Sequence, residues 1–75
     1  DLAFDEVAIS ADSKYCGRTL AETDLISEMS LIVVAIRRAA GELVFHPNGT
    51  TEFMEGDLMI VVGKAESVKA LADGK

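Results

Sequence analysis

The feature that most constrains the fold is an unbroken apolar run at residues 31–36. Its sequence, Leu-Ile-Val-Val-Ala-Ile, is rich in β-branched side chains and puts apolar residues on both alternating faces of a strand. Such a run is typical of a strand that is covered on both sides. Arg37 and Arg38 end it, and a second apolar run follows at residues 58–62, closed by Gly63. The two runs predict two buried strands of one sheet.

The rest of the chain gives weaker signals for shorter elements. Thr19 and Glu22 have the spacing of a capping box, which predicts that a helix begins there. In chain order, the predicted elements are a strand at 2–9, a helix at 20–27, strands at 31–36 and 43–45, a further short strand at 50–53, a strand at 58–62 and a helix at 65–72. This order, β-α-β-β-(β)-β-α, predicts an α+β domain with two helices and a small, mixed or mostly antiparallel sheet.

The size and composition favour one small domain that associates with a partner. The chain has 75 residues, of which 49% are hydrophobic and only 5% aromatic. A domain of this size buries about 60–65% of its unfolded surface, so much of that apolar surface has no interior to enter. We therefore expect residues 1–75 to form a single domain, cut from a longer protein, that buries apolar surface against another chain. The single cysteine forms no internal disulfide, which fits a reducing compartment.

The charge of the chain predicts which partners it avoids. Its formal net charge is −6. A negative surface repels phosphate backbones and anionic lipid, so we expect no nucleic-acid partner and no docking on a membrane surface. No apolar run approaches the roughly 20 residues that a membrane helix requires.

The sequence predicts no catalytic, cofactor or metal site. His46 is the only histidine, lies beside Pro47, and is interpreted as a surface residue at a strand end. Cys16 has no recognisable base nearby in sequence, and the acidic residues have no calcium-loop spacing. The glycines match no nucleotide-binding motif. Asp57 is predicted to fix its own turn by accepting hydrogen bonds from backbone N–H groups.

Two interpretations remain for the cations that end the first apolar run. Arg37 and Arg38 either form a solvated strand terminus or supply a cation at the rim of an apolar groove that suits an anionic ligand. Because neighbouring residues of a strand point to opposite faces, at most one of the two can face such a groove.

Taken in order, several motifs resemble those of one regulatory family. They are Ser13-x3-Gly17-Arg18-Thr19-Leu20, then Val33-Val34-Ala35-Ile36-x-Arg38, Pro47, Gly56-Asp57-Leu58 and Gly63. Each motif is weak, whereas their order and spacing together resemble the C-terminal (TrkA-C) domain of RCK proteins over residues 6–71.

The resemblance implies a function and a set of partners. Such domains regulate potassium channels and transporters at the cytosolic face of the membrane, usually after an RCK N-terminal domain that binds nucleotides. They pair as homodimers, and in some members cyclic di-AMP lies in the cleft between the two copies. We expect the same partners here: a second copy, an RCK N-terminal domain, a membrane subunit and a candidate nucleotide effector.

The resemblance also implies which residues face that cleft. Members that bind cyclic di-AMP carry an arginine and an asparagine where this chain has Ile26 and Ile32. A cleft lined by Leu25, Ile26 and Ile32 resembles a protein–protein seam. Arg37, Arg38, His46 and Pro47 complete the set of candidates for the cleft.

Three hypotheses of function follow. The first is a regulatory and dimerisation module of a potassium channel or transporter. The second is a ligand-sensing domain, and the third is a fragment of an enzyme whose catalytic residues lie outside the chain. We predict that the domain itself is not an enzyme and has no cofactor.

Overall fold

The computed structural model describes residues 1–73, which form a four-stranded antiparallel sheet and one α-helix. The elements are β1 (Leu2–Ala8), the 3₁₀ turn η1 (Leu20–Glu22), β2 (Ile32–Arg37), β3 (Leu43–Phe45), β4 (Leu58–Lys64) and α1 (Ala65–Ala72). The strand order is β1-β4-β2-β3. The predicted α+β class is confirmed, and the two apolar runs are neighbours in the middle of the sheet.

The core fills one side of this sheet, which we call the inner face. Val33 and Ile36 from β2 and Met59 and Val61 from β4 are buried there. The pairing of β2 with β4 shifts between Val33 and Ala35, and this bulge returns Ile36 to the inner face. Helix α1 covers the β1–β4 half of this face.

Helix α1 has the predicted bounds and follows β4 without a loop. Its Val68 and Leu71 are 4% and 3% exposed, so the predicted apolar side of the helix is confirmed. Gly63 lies where β4 approaches the segment before β2. A Cβ at this position would collide with the side chain of Leu31, so only glycine fits without displacing that side chain.

The predicted first helix is reduced to the single 3₁₀ turn η1, with hydrogen-bonded turns up to residue 29. Its start is as predicted, since Glu22 Oε1 accepts the backbone N–H of Thr19 at 2.8 Å. The helix then stops because Thr23 has extended backbone angles, and its hydroxyl donates to the Leu20 carbonyl at 2.8 Å. This side-chain bond competes with helix continuation.

The predicted short strand at residues 50–53 is a single bridge between Glu52 and Thr19. Backbone bonds flank it, from Gly17 N–H to the Phe53 carbonyl at 2.8 Å and from Leu20 N–H to the Thr51 carbonyl at 2.9 Å. The segment therefore ties the loop after β1 to the segment before β4, outside the main sheet.

The prediction that strand 31–36 is covered on both sides is wrong. Ile32 is 63% exposed, because helix α1 and the hydrophobic core lie on the inner face. We call the opposite side of the sheet the open face, and within residues 1–73 the side chains of the hydrophobic core lie on the inner face instead. Within the described residues no helix is long and apolar enough to cross a membrane.

Candidate functional site

The open face carries apolar side chains from all four strands. Residues that pair across antiparallel strands project to the same side of the sheet, so the register defines its rows. One row is Phe4, Val62 and Ile32; the next is Glu6, Ile60, Ala35 and Phe45; the last is Ala8, Leu58, Arg37 and Leu43. Leu2 and Lys64 pair at the opposite end. The middle rows of this face are mostly apolar; Arg37 and Lys64 lie in the two outermost rows, and Glu6 lies on the edge strand β1.

The large side chains of these rows are mostly in contact with water. Phe4, Ile32 and Phe45 are 63–64% exposed, and Leu2 and Leu43 are 78% and 54% exposed. Monomeric soluble proteins rarely present a contiguous apolar patch of more than a few hundred Å². The open face is therefore the surface of the domain that most requires a partner.

Two of the three residues of the predicted seam are accessible, since Ile26 is 56% and Ile32 63% exposed. Ile32 lies on the open face, whereas Ile26 lies in the turns before β2. Leu25 has no exposed surface and belongs to the core, where its carbonyl accepts the Leu31 N–H at 2.9 Å. The structure therefore removes Leu25 from the candidates for the wall of a cleft.

The two arginines have different surroundings, as their alternation in the strand predicts. Arg37 is exposed and pairs with Leu43 and Leu58 on the open face. The Arg38 Nη1 atom donates to Asp57 Oδ2 at 2.5 Å and to the Glu52 carbonyl at 2.9 Å. Arg38 is thus engaged in a structural ion pair, so its role as a cleft cation is not supported.

Asp57 is the buried partner in this pair, at 1% exposure. Its Oδ2 atom also accepts the Met54 N–H at 2.8 Å, so the predicted role of Asp57 in fixing its own turn is confirmed. Two donors on one carboxylate oxygen, one of them a cation, compensate the loss of water around a buried charge.

His46 and Pro47 end β3 at the edge of the sheet. His46 is exposed, as predicted, and its ring stands edge-on to Phe45 with 4.6 Å between the centroids. Its backbone has a positive φ of 57°, and its N–H bonds to the Val34 carbonyl at 3.1 Å. Pro47 is half-buried. Both residues border the open face at Phe45, and within residues 1–73 there is no group of three or more potential metal ligands.

A sequence profile of the TrkA-C domain matches residues 6–73. The chain belongs to the TrkA-C domain family. TrkA-C domains are regulatory domains of potassium transport proteins. No curated protein sequence gives a significant match to the chain.

Solved structures share the TrkA-C fold at low identity. The RCK C domain of the potassium transport protein KtrA, in complex with cyclic diadenosine monophosphate, gives a TM-score of 0.84 at 19% identity, covering 100% of this chain and 85% of that one. The RCK_C domain dimer of S. agalactiae BusR, in complex with c-di-AMP, gives 0.80 at 22%, covering 95% and 92%. The GsuK channel bound to NAD gives 0.81 at 24%, covering 97% of this chain and 13% of that one.

A further BusR structure overturns one prediction from the sequence. S. agalactiae BusR in complex with its busAB-promotor DNA matches with a TM-score of 0.81 at 22% identity, and the match covers 96% of this chain but 35% of that one. The exclusion of a nucleic-acid partner is therefore wrong. It rested on the charge of these 75 residues, and the charge of one domain does not determine what the rest of a longer protein binds.

The sequence analysis did not predict a shallow cavity of about 600 Å³ at the β1 edge of the TrkA-C domain, between β1, the loop at residues 10–15 and the end of α1. Tyr15 borders this cavity, and its hydroxyl donates to Asp24 Oδ1 at 3.2 Å. Burial, together with the nearby Asp24 carboxylate, raises the pKa of Tyr15 to about 12. The cavity joins residues 6–15 to the end of α1, which is far away in sequence, so no local sequence pattern predicts it.

Proposed function

We propose that this TrkA-C domain is a regulatory and dimerisation domain of a potassium channel or transporter. The observation that carries the proposal is the open face, whose apolar side chains from four strands are in water in a single copy. A domain that pairs through such a surface couples its attached domains, because a change in the geometry of the pair changes their spacing.

The partners of this function follow from the family. A second copy pairs with the domain, and an RCK N-terminal domain precedes it in the longer protein. The assembly acts on a membrane subunit from the cytosolic side. The potassium transport protein KtrA, whose RCK C domain shares this fold, supports the assignment to potassium transport, and the GsuK channel supports the assignment to a channel.

Sedimentation equilibrium of the 75-residue chain tests the proposal. The chain has its own core, so it can be studied alone. We expect a species of twice the 8.0 kDa monomer mass at micromolar concentration. An 8.0 kDa species alone, at all concentrations up to the millimolar range, would refute pairing as the function of this domain.

Ligand sensing is the second candidate function, because the matched KtrA and BusR domains were solved with cyclic di-AMP. Two features of this chain oppose tight binding. Ile26 and Ile32 replace the polar residues of the members that bind this ligand, and Arg38 is held by Asp57. Of the two arginines considered, Arg37 alone remains exposed for the phosphates.

Calorimetry at low salt distinguishes this second candidate from the first. We expect cyclic di-AMP to bind with a dissociation constant above about 10 µM, a free energy of less than roughly 7 kcal/mol. Submicromolar binding would establish ligand sensing instead, and its loss in Arg37→Ala would identify the residue that binds the phosphate.

A further inference from the structure

We propose that the outer edge of β1 binds an extended, basic segment of a partner protein, which adds to the sheet as a fifth strand and places a basic side chain in the cavity beside this edge. The site lies at the edge of the sheet, whereas the pairing proposed above uses the open face. One copy contains the whole site, so it does not depend on that pairing.

The backbone of β1 has free hydrogen-bonding groups on its outer side. The Ile9 N–H donates to the Asp57 carbonyl at 2.8 Å, and the Ala65 N–H donates to the Asp1 carbonyl at 3.2 Å. Because bonded pairs alternate along an antiparallel ladder and the register of β1 on β4 has no shift, the odd-numbered residues bond to β4. The N–H and C=O groups of residues 2, 4, 6 and 8 therefore point away from the sheet.

Within residues 1–73 no other strand or loop pairs with these groups. β1 is the first strand in the order β1-β4-β2-β3, and the loops make no backbone hydrogen bond to residues 2, 4, 6 or 8. β1 has seven residues, whereas the opposite edge strand, β3, has three. A long free edge is a template for an added strand, and this is how many proteins bind extended peptides.

The cavity of about 600 Å³ lies at the end of this edge, between β1, the loop at residues 10–15 and the end of α1. Its lining includes apolar side chains, among them Val7 and Leu71, and two acids, Glu6 and Asp12. The Ser10 hydroxyl donates to Asp12 Oδ1 at 2.6 Å, and this bond lowers the pKa of Asp12, so its carboxylate is charged at neutral pH. Arginine and lysine combine an apolar stem with a cationic head, which matches this lining.

The charge of the edge selects a basic occupant. Residues 5–15 contain three acids, Asp5, Glu6 and Asp12, and one base, Lys14, a net charge of −3 + 1 = −2. The Nζ atom of Lys14 already lies 3.7 Å from the carboxylate of Asp24. The whole chain has a net charge of −6, which attracts a cationic segment and repels an acidic one.

The same charges make a second β1 edge a poor occupant. Two such edges would bring like charges together in any register that overlaps residues 5 and 6. In addition, Asp5 Oδ1 accepts the Glu6 N–H at 2.7 Å, so one outward donor is already occupied. Charged groups at a strand edge limit unselective pairing. A strand that carries cations compensates the carboxylates instead.

A labelled peptide tests the site. The probe is a nine-residue peptide in which arginine and valine alternate, titrated with the 75-residue chain at about 0.05 M salt and followed by fluorescence anisotropy. We expect a dissociation constant of about 10–100 µM, and at least tenfold weaker binding of the peptide with glutamate in place of arginine. If the two peptides bind equally, or if the arginine peptide shows no binding up to about 1 mM, the proposal is wrong.

A proline on the strand tests the added strand itself. Ala8→Pro removes an outward N–H and blocks the edge, while the ladder to β4 keeps its bonds. We expect it to weaken binding of the arginine peptide at least tenfold. Ala8→Ser keeps the N–H and is the matched control, with unchanged binding. If Ala8→Pro binds as well as Ala8→Ser, general attraction between opposite charges explains the binding and the proposal fails.

Charge-neutralising variants test the cavity. Glu6→Gln and Asp12→Asn should each weaken binding of the arginine peptide about threefold, since both carboxylates line the cavity. Glu55→Gln makes the same change in net charge in the exposed turn before β4, and we expect its binding to be unchanged. Equal effects of the three substitutions would show that net charge alone attracts the peptide.

Amide hydrogen exchange on the unmodified chain decides the site even if Ala8→Pro fails to fold, which circular dichroism checks. With the arginine peptide bound, the Phe4 and Ala8 N–H groups should exchange more slowly, whereas those of Leu43 and Phe45, on the β3 edge, should not change. Protection at the β3 edge alone would overturn the assignment to β1. A chain that is a monomer at all concentrations would refute the proposed pairing and leave this result unaffected.

Discussion

At the scale of single residues, the buried Arg38–Asp57 pair shows what alternation along a strand can and cannot predict. Alternation places Arg37 and Arg38 on opposite faces, and the structure agrees. Alternation does not reveal that Asp57, 19 residues away, accepts a hydrogen bond from Arg38. The turn role of Asp57 was predictable from its own short side chain, whereas its cationic partner depends on the packing of β2 beside β4.

Removing that cation should destabilise the domain. Arg38→Ala leaves the Asp57 carboxylate buried with one backbone donor, and we expect the free energy of unfolding to fall by about 2–3 kcal/mol, less than for a fully buried pair because Arg38 is 21% exposed. Urea unfolding measures this effect. Arg18→Ala removes an exposed arginine away from the sheet and should change stability by less than about 0.5 kcal/mol. Equal effects of the two substitutions would show that the ion pair has no structural role.

At the scale of elements, a predicted strand or helix was correct where a few neighbouring residues were enough to determine it. The apolar runs became β2 and β4, and the last helix has its predicted bounds, because periodicity and apolar content act over a few residues. The helix predicted from Thr19 and Glu22 starts correctly but stops after one turn, since Thr23 bonds the backbone. The apolar run at residues 31–36 also predicted a cover on both faces of β2, and this was wrong for the described residues, which leave Ile32 63% exposed.

The contact between β4 and the segment before β2 should be sensitive to a single methyl group. In Gly63→Ala the new Cβ meets the side chain of Leu31, which is 1% exposed, so we expect a loss of about 1–3 kcal/mol in the free energy of unfolding. Gly49→Ala is the comparison, because its Cβ would lie 3.3 Å from the Cβ of Ala21 in an exposed loop, and it should cost less than about 1 kcal/mol. Thermal or urea unfolding of both variants decides, and a neutral Gly63→Ala would mean that Leu31 moves freely.

At the scale of the whole molecule, two properties act against each other. The charge of −6 opposes contact between two copies of the domain, whereas burial of the apolar open face would favour the proposed pairing. Neither property is visible in any one element. The sequence predicted association from apolar content alone, but locating the surface required the sheet, because residues from four strands contribute to it.

This opposition predicts how salt affects the pair. Raising the salt concentration from about 0.05 M to about 0.5 M shortens the range of charge repulsion between the two copies, so we expect the dimer to become about threefold tighter. Sedimentation across this range measures the effect. A dimer that loosens steadily with salt would instead show that attraction between opposite charges dominates its stability.

The absence of any loop between β4 and α1 has a mechanical consequence. Lys64 is the last residue of the strand and Ala65 the first of the helix, and the Ala65 N–H is further bonded to the Asp1 carbonyl at 3.2 Å. Because no loop separates the two elements, a displacement of β4 moves the start of helix α1 with it.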